Sequence, residues 1–231
     1  MRTAMILLTL LVTLPVWAGT FRDDFEDGNL DGWQQLWPQG AMIWKVVDGE
    51  LECSRLSQWS AGIAVGEASW TDYTIEADVK LLQDHGPGDF DLLARATTND
   101  NGYAFLVGDW VGEPSVYVQQ MPDLNMKVID PFDPLEQDVW HHVKLEAEGN
   151  KFTFWINDEE VIDYQDGTYQ AGMVGFGVAN YTARFDNVII TGPEVPDVMP
   201  PTWKKQPVNP RRRLATTWAQ IKGLGYFHPS W

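Results

Sequence analysis

The run AGMVGFGVANYTARFDNVII, residues 171–190, constrains the fold of this chain more than any other stretch. Gly172, Gly175 and Gly177 punctuate a β-rich segment, and ARFDNVII reads as a closing strand. Side chains alternate between the two faces of a strand, so Phe185 and Val188 both reach a core only if the chain bulges between them. Asp186 and Asn187 fall at that irregularity, an expensive place for a carboxylate without a partner. The expected counterpart is FRDDFEDG, residues 21–28. A first and a last strand lying side by side close a β-sandwich, and the residues between them are expected to fill it.

They have the pattern to do so. Asp48-Gly49 between IWKVV and ELEC is a strong hairpin signal. YTIEADVK, residues 73–80, places Tyr73, Ile75, Ala77 and Val79 on one face and polar residues on the other. Residues 61–66, 90–96, 102–108, 115–119, 126–129, 140–148, 151–157 and 161–164 read as further short strands. No amphipathic run exceeds a turn or two. This predicts an all-β fold, a two-sheet antiparallel jelly-roll sandwich over residues 19–192. The one cysteine, Cys53, excludes an internal disulfide and reads as a small buried hydrophobe.

The ends differ from the middle. Residues 1–18 have the positive start, short apolar run and Val-Trp-Ala ending of a signal peptide, which predicts an exported protein without a membrane span. Residues 193–210 form a Pro-rich linker. Residues 211–231 form a basic tail with a short amphipathic helix carrying Leu214, Trp218 and Ile221, read either as a docking tag for an envelope or protein partner or as a frayed end. Residues 19–192 hold nine Lys/Arg against 31 Asp/Glu, and a net charge of −22 repels phosphate backbones. Nucleic acid is therefore excluded as a partner, while cations or neutral ligands suit the domain.

The order of DDFE (23–26), GW (32–33), WKVVDGEL (44–51), YTIEADV (73–79), ARA (94–96), GYAF (102–105), Trp140, the 172–177 glycines and FDNV (185–188) resembles the concanavalin-like and laminin-G-like jelly rolls. Among these the chain is most similar to modules related to family 16 glycoside hydrolases and to 3-keto-disaccharide hydrolase-like domains. The resemblance implies a structural calcium where the first strand, the 48–49 hairpin and the last strand meet. Its ligands would be the carbonyls of Asp24 and Gly49 and the carboxylate of Asp186, with Glu26 adding a side chain. Asp186 bonded only to loop amides is the other reading. The Glu-x-Asp-x-x-Glu strand of the family 16 enzymes corresponds to GYAFLVG, residues 102–108, which holds no carboxylate. That catalysis is expected to be absent.

Binding of a glycan or polysaccharide remains. Twelve Trp and seven Tyr exceed what a core of this size needs, and sugars stack their CH faces on such rings. Asp91 and Arg95 share a strand face and read as a polar anchor or, equally, as a structural ion pair. Tyr103, Trp110 and Tyr117 come from neighbouring strands, with Trp59 and Tyr181 at the rim; each alone can equally be core. The resulting expectation is a non-catalytic, lectin-like carbohydrate-binding module. An enzyme of the 3-keto-glycoside hydrolase kind and an envelope-associated adhesion protein are the alternatives.

Overall fold

The computed structural model describes residues 18–200 apart from 41, 123 and 124. The expected signal peptide and the expected tail helix fall outside the described residues. Thirteen strands run through the described residues, without a helix. They are β1 (Gly19–Asp23), β2 (Trp33–Trp37), β3 (Lys45–Val47), β4 (Glu50–Ser54), β5 (Ala61–Val65), β6 (Tyr73–Ala96) and β7 (Gly102–Gly108). After these come β8 (Ser115–Met121), β9 (Asn125–Pro131), β10 (Trp140–Glu148), β11 (Lys151–Ile156), β12 (Glu159–Gln165) and β13 (Met173–Gly192).

All pairings between these strands are antiparallel, and two strands belong to both layers. The first half of β6 pairs with β10 and with the second half of β13, where β4 and β1 also attach. With β11, β12 and β3 this makes the back layer. The second half of β6 pairs with β7 and with the first half of β13, giving the front order β9-β8-β7-β6-β13-β5-β2.

Residues 73–80 and 90–96 read as separate strands in sequence, yet they are one. The residues between them stay on the ladder, with Leu81 opposite Ala183, Gln83 opposite Thr182 and Asp84 opposite Tyr181. Both strands turn over together, and β13 slips register at Ala179/Tyr181, where Asn180 has φ 49°.

The closing strand behaves as its sequence requires. Phe185 and Val188 are both fully buried, and the register slips between Asp186 and Ile189 around Asn187 at φ 55°. β1 lies against the end of β13, Phe21 opposite Ile190. Asp48 and Gly49 both take positive φ in the β3–β4 turn, as a tight hairpin needs. The residues after 192 do not leave the sandwich at once. Val195 is buried, and the Val198 N–H donates to the Thr20 carbonyl, so the start of the expected linker lies along β1.

The core between the layers is aromatic. Phe176 of the front half of β13 stacks on Phe185 of its back half at 4.3 Å, and Tyr103 and Phe105 meet Phe152 across the layers at 4.7 and 5.5 Å. Cys53 is buried in this core. Phe185→Ala should cost about 3–5 kcal/mol in denaturant unfolding, through lost burial and the cavity left between the halves of β13; a cost below about 1 kcal/mol would show that this stack does not join the layers.

Candidate functional site

Beyond the inter-layer core, the front layer has a second apolar cluster on its outer face, formed by Leu36, Leu93, Ala104, Leu106, Tyr117 and Met121 with Trp37 and Trp110 packed against it. Single alternation accounts for it. Phe90, Leu92 and Ala94 of β6 face inward, so Asp91 and Leu93 face outward; on β7, Tyr103, Phe105 and Val107 face inward and Ala104 and Leu106 outward. Loops rise around this outer face and leave a cavity of about 320 Å³, with Trp37, Trp59 and Trp110 as walls and Asp89, Asp91 and Gln119 among its lining.

Two glycines make the room. A Cβ on Gly62 would lie 2.5 Å from the Trp37 ring, and one on Gly177 would lie 2.1 Å from Asp91 Oδ2. Bare backbone there lets the indole lie against β5 and lets the carboxylate sit down into the sheet.

Asp89 and Asp91 dominate the floor. Tyr117 donates its hydroxyl to Asp89 Oδ2 at 2.5 Å, and Ser60 donates Oγ–H to Asp91 Oδ2 at 2.8 Å. Burial, and then the charge of Asp91 beside it, holds the Asp89 carboxyl well above the usual carboxylate range. Burial pushes Asp91 up to about 6, against the hydrogen bonds from Asp89 and Ser60.

The seven residues expected to bind sugar divide among three places. Asp91, Trp59 and Trp110 line the groove, and Tyr117 lies fully buried beneath it, holding Asp89. Arg95 and Tyr103 lie elsewhere. Arg95 takes φ 51°, which breaks the alternation and turns its side chain inward; it sits 4.8 Å from the Phe152 ring and donates to the carbonyls of Thr71, Tyr169 and Gly149. Its ion-pair partner is Asp72 at 3.8 Å, so the Asp91–Arg95 pair does not form. Tyr103 is on the inward face of β7 and donates its hydroxyl to Asp166 at 2.5 Å. Tyr181 faces a separate cavity of about 200 Å³ and donates to Asp109 at 3.3 Å.

Sequence reasoning missed Trp37, Arg55, Asp89 and Gln119 as groove residues. Asp89 had a signal, standing at i−2 from Asp91 on the same strand face. Trp37 at the end of β2 and Arg55 just after β4 had none.

Around the expected calcium ligands, Asp186 accepts from the Asn187 N–H at 2.7 Å, and Asn187 Nδ2 bridges Asp78 and Asp186 at 2.9 and 3.2 Å. Asn187 Oδ1 is buried without a partner. Glu26 lies against Gly49, its carboxylate 3.1 Å from where a Cβ would be. Burial first, and then Asp78, Glu50 and Asp24, raise Asp186 to about 7. Hard oxygens from a carboxylate, an amide and carbonyls are the donor set calcium takes, and a cation would relieve the repulsion. Among the described residues no three His, Cys, Asp or Glu side chains gather as a metal cluster, so backbone carbonyls would have to complete such a set.

The fold is that of the concanavalin- and galectin-like jelly rolls, with a groove on the outer face of one layer. Within it, the chain belongs to the 3-keto-alpha-glucoside-1,2-lyase-like domain family, whose model matches residues 20–191. A levanase of Bacillus subtilis (strain 168) is 30% identical over 126 residues, 54% of this chain and 18% of the levanase. The fold is also similar to the carbohydrate-binding module CBM66 from Bacillus subtilis, at TM-score 0.59 and 24% identity over 71% of this chain and 98% of that one. The exoplasmic/lumenal domain of VIP36, solved with Ca2+ and Man3GlcNAc, gives TM-score 0.54 at 12% identity over 78% of this chain and 90% of that one.

A carboxyl whose folded pKa is raised contributes stability below its unfolded value and loses it as pH climbs through the folded value. For Asp91 that window runs from 3.8 to about 6. Asp91→Asn should therefore gain melting temperature over the wild type as pH rises through this window, with the gain complete by pH 8. A variant that melts lower at pH 8 than at pH 4, relative to wild type, would contradict the buried charge.

Proposed function

We propose that this chain is an exported carbohydrate-binding module that takes a neutral sugar unit in the outer groove of its front layer. The observation that carries the reading is the groove itself: three indoles around a floor of buried carboxyls, the combination that holds a sugar by ring stacking and fixes its hydroxyls by hydrogen bonds. Family membership, the levanase match and the CBM66-like fold support it. Trp59 is 58% exposed at the rim, available to a passing chain, while Trp110 is partly buried deeper in the wall.

The test is a glycan panel that includes levan, xylan and mannan, read by calorimetry. One neutral class should bind, and Trp110→Ala should weaken it by about tenfold, on the order of 1–1.5 kcal/mol, with Trp59→Ala weakening it less. Binding that survives both substitutions would remove the groove from the reading.

The second reading is enzymatic, and the Asp89–Asp91 pair favours it. Asp89 and Asp91 stand side by side on one strand, whereas glycoside hydrolysis by two carboxyls needs them to flank the scissile bond. A single base removing one proton suits a lyase better. Conversion of a 3-keto-glucoside by the wild type, lost in Asp89→Asn and Asp91→Asn alike, would establish that reading over simple binding.

We also propose a structural calcium bound by Asp186 and Asn187 with Glu26 and the carbonyls of Asp24 and Gly49. Millimolar calcium should raise the melting temperature by several degrees, chelator should reverse this, and Asp186→Asn should abolish the response. An identical melt with calcium and with chelator would leave Asp186 as a loop-bonded carboxyl. The basic tail, residues 211–231, is proposed to dock to an envelope or protein partner.

A further inference from the structure

The groove floor holds a feature that ring stacking does not require. Asp89 and Asp91 stand at i and i+2 on the outer face of β6, 4% and 1% exposed. Each has one oxygen fixed by a hydroxyl donor, Tyr117 from β8 on Asp89 and Ser60 from the loop before β5 on Asp91. Asp91 Oδ1 is left buried with no protein donor, and Asp89 is the carboxyl next to it on the same strand face. Two carboxylates side by side and almost wholly buried repel, whereas one proton shared between them turns the repulsion into a charge-assisted hydrogen bond.

The charged and titratable neighbours do not offer another remedy. Asp109 from the β7–β8 loop adds negative charge, and Tyr117 and Tyr181 are neutral phenols held up by burial. Asp100 at the rim is acidic, and Arg55, the one cation lining the groove among the described residues, gives its Nε–H to the Trp59 carbonyl.

We propose that Asp89 and Asp91 share one proton and act together as the specificity-determining pair of the groove, admitting an uncharged sugar and turning away anionic glycans. This rests on the carbohydrate-binding reading. With one proton the pair carries one charge and presents an acceptor to a sugar hydroxyl. Loss of that proton leaves two adjacent buried charges that only water or a cation can relieve, and the sugar is displaced. A uronate or sulfated unit meets that negative charge wherever the pair is ionised and is turned away.

Two measurements on the full chain test this. In carboxyl carbon NMR of protein labelled with 13C-aspartate, one carboxyl of the pair should titrate near pH 6 and its partner should keep its proton to higher pH; ionisation of both by pH 5 overturns the proposal. In calorimetry, the neutral glycan selected from the panel (levan first) should lose at least tenfold in affinity over the pH range in which NMR shows the second proton leaving, and polygalacturonate should not bind. Asp91→Asn should lose binding by more than tenfold while melting no lower at pH 8. Asp89→Asn, which puts a fixed N–H donor where the proton was, should make the remaining affinity independent of pH over that range.

A flat wild-type profile, or polygalacturonate bound as tightly as the neutral glycan, overturns the proposal and leaves the carbohydrate reading standing. If no neutral glycan binds at any pH although NMR finds the shared proton, the carbohydrate reading has failed and the specificity role falls with it.

Discussion

Phe176 and Phe185 stack at 4.3 Å although they are nine residues apart on one strand. They can meet only because β13 turns over between them, from the front layer to the back. β6 turns beside it, residue against residue, so the two longest strands form a shared spine with half of each in either layer. The other strands attach to one half or the other. The contact therefore sets the spacing of the layers, and with it which face of β6 and β7 is sealed inside and which is left to build the groove.

The groove follows from that placement. A front layer packed on one face normally has a solvated outer face with polar side chains. Here the outer face carries Leu93, Leu106, Tyr117 and Met121, which are costly to leave in water, and Trp37 at the end of β2 and Trp110 in the loop after β7 pack against them. What remains open is a cavity rather than a flat sheet. Its buried carboxyls are tolerated because Tyr117 and Ser60 donate to them and Gly177 leaves them space. The acidic floor and the acidic Asp186 corner are on different parts of the sandwich, and each has its own way of carrying buried negative charge: hydroxyl donors and a neighbouring carboxyl at the first, the Asn187 bulge at the second.

The fold was legible wherever local chemistry decides geometry. Alternation in residues 73–80, the Asp48-Gly49 turn and the three-residue spacing of Phe185 and Val188 each have one physical solution, and each is present. Continuity of β6 and β13 was not legible, because it depends on two distant segments bending in step. At the site, Asp91 was readable from its place opposite Phe90 and Leu92. Arg95 was misplaced because alternation was carried one residue too far, past a left-handed kink that sequence did not signal. Tyr103 was misplaced because a buried tyrosine whose hydroxyl finds a carboxylate is as much a core residue as a sugar platform; its partner Asp166 is 63 residues away. Trp37 stands at the end of β2, and the fold rather than its neighbours brings it over Gly62.

The central claim is that ligand is held on the outer face of the front layer, and the indole N–H signals of the tryptophans test it most directly. Trp37, Trp59 and Trp110 line the groove, Trp33, Trp44 and Trp70 are buried, and Trp140 and Trp155 lie on the back layer under Lys80 and Lys144. On titration with the bound glycan, the first three indole resonances should move together with one affinity while the buried and back-layer ones stay in place. Movement of Trp140 and Trp155 with the groove indoles unchanged would put the binding surface on the opposite face and contradict the account.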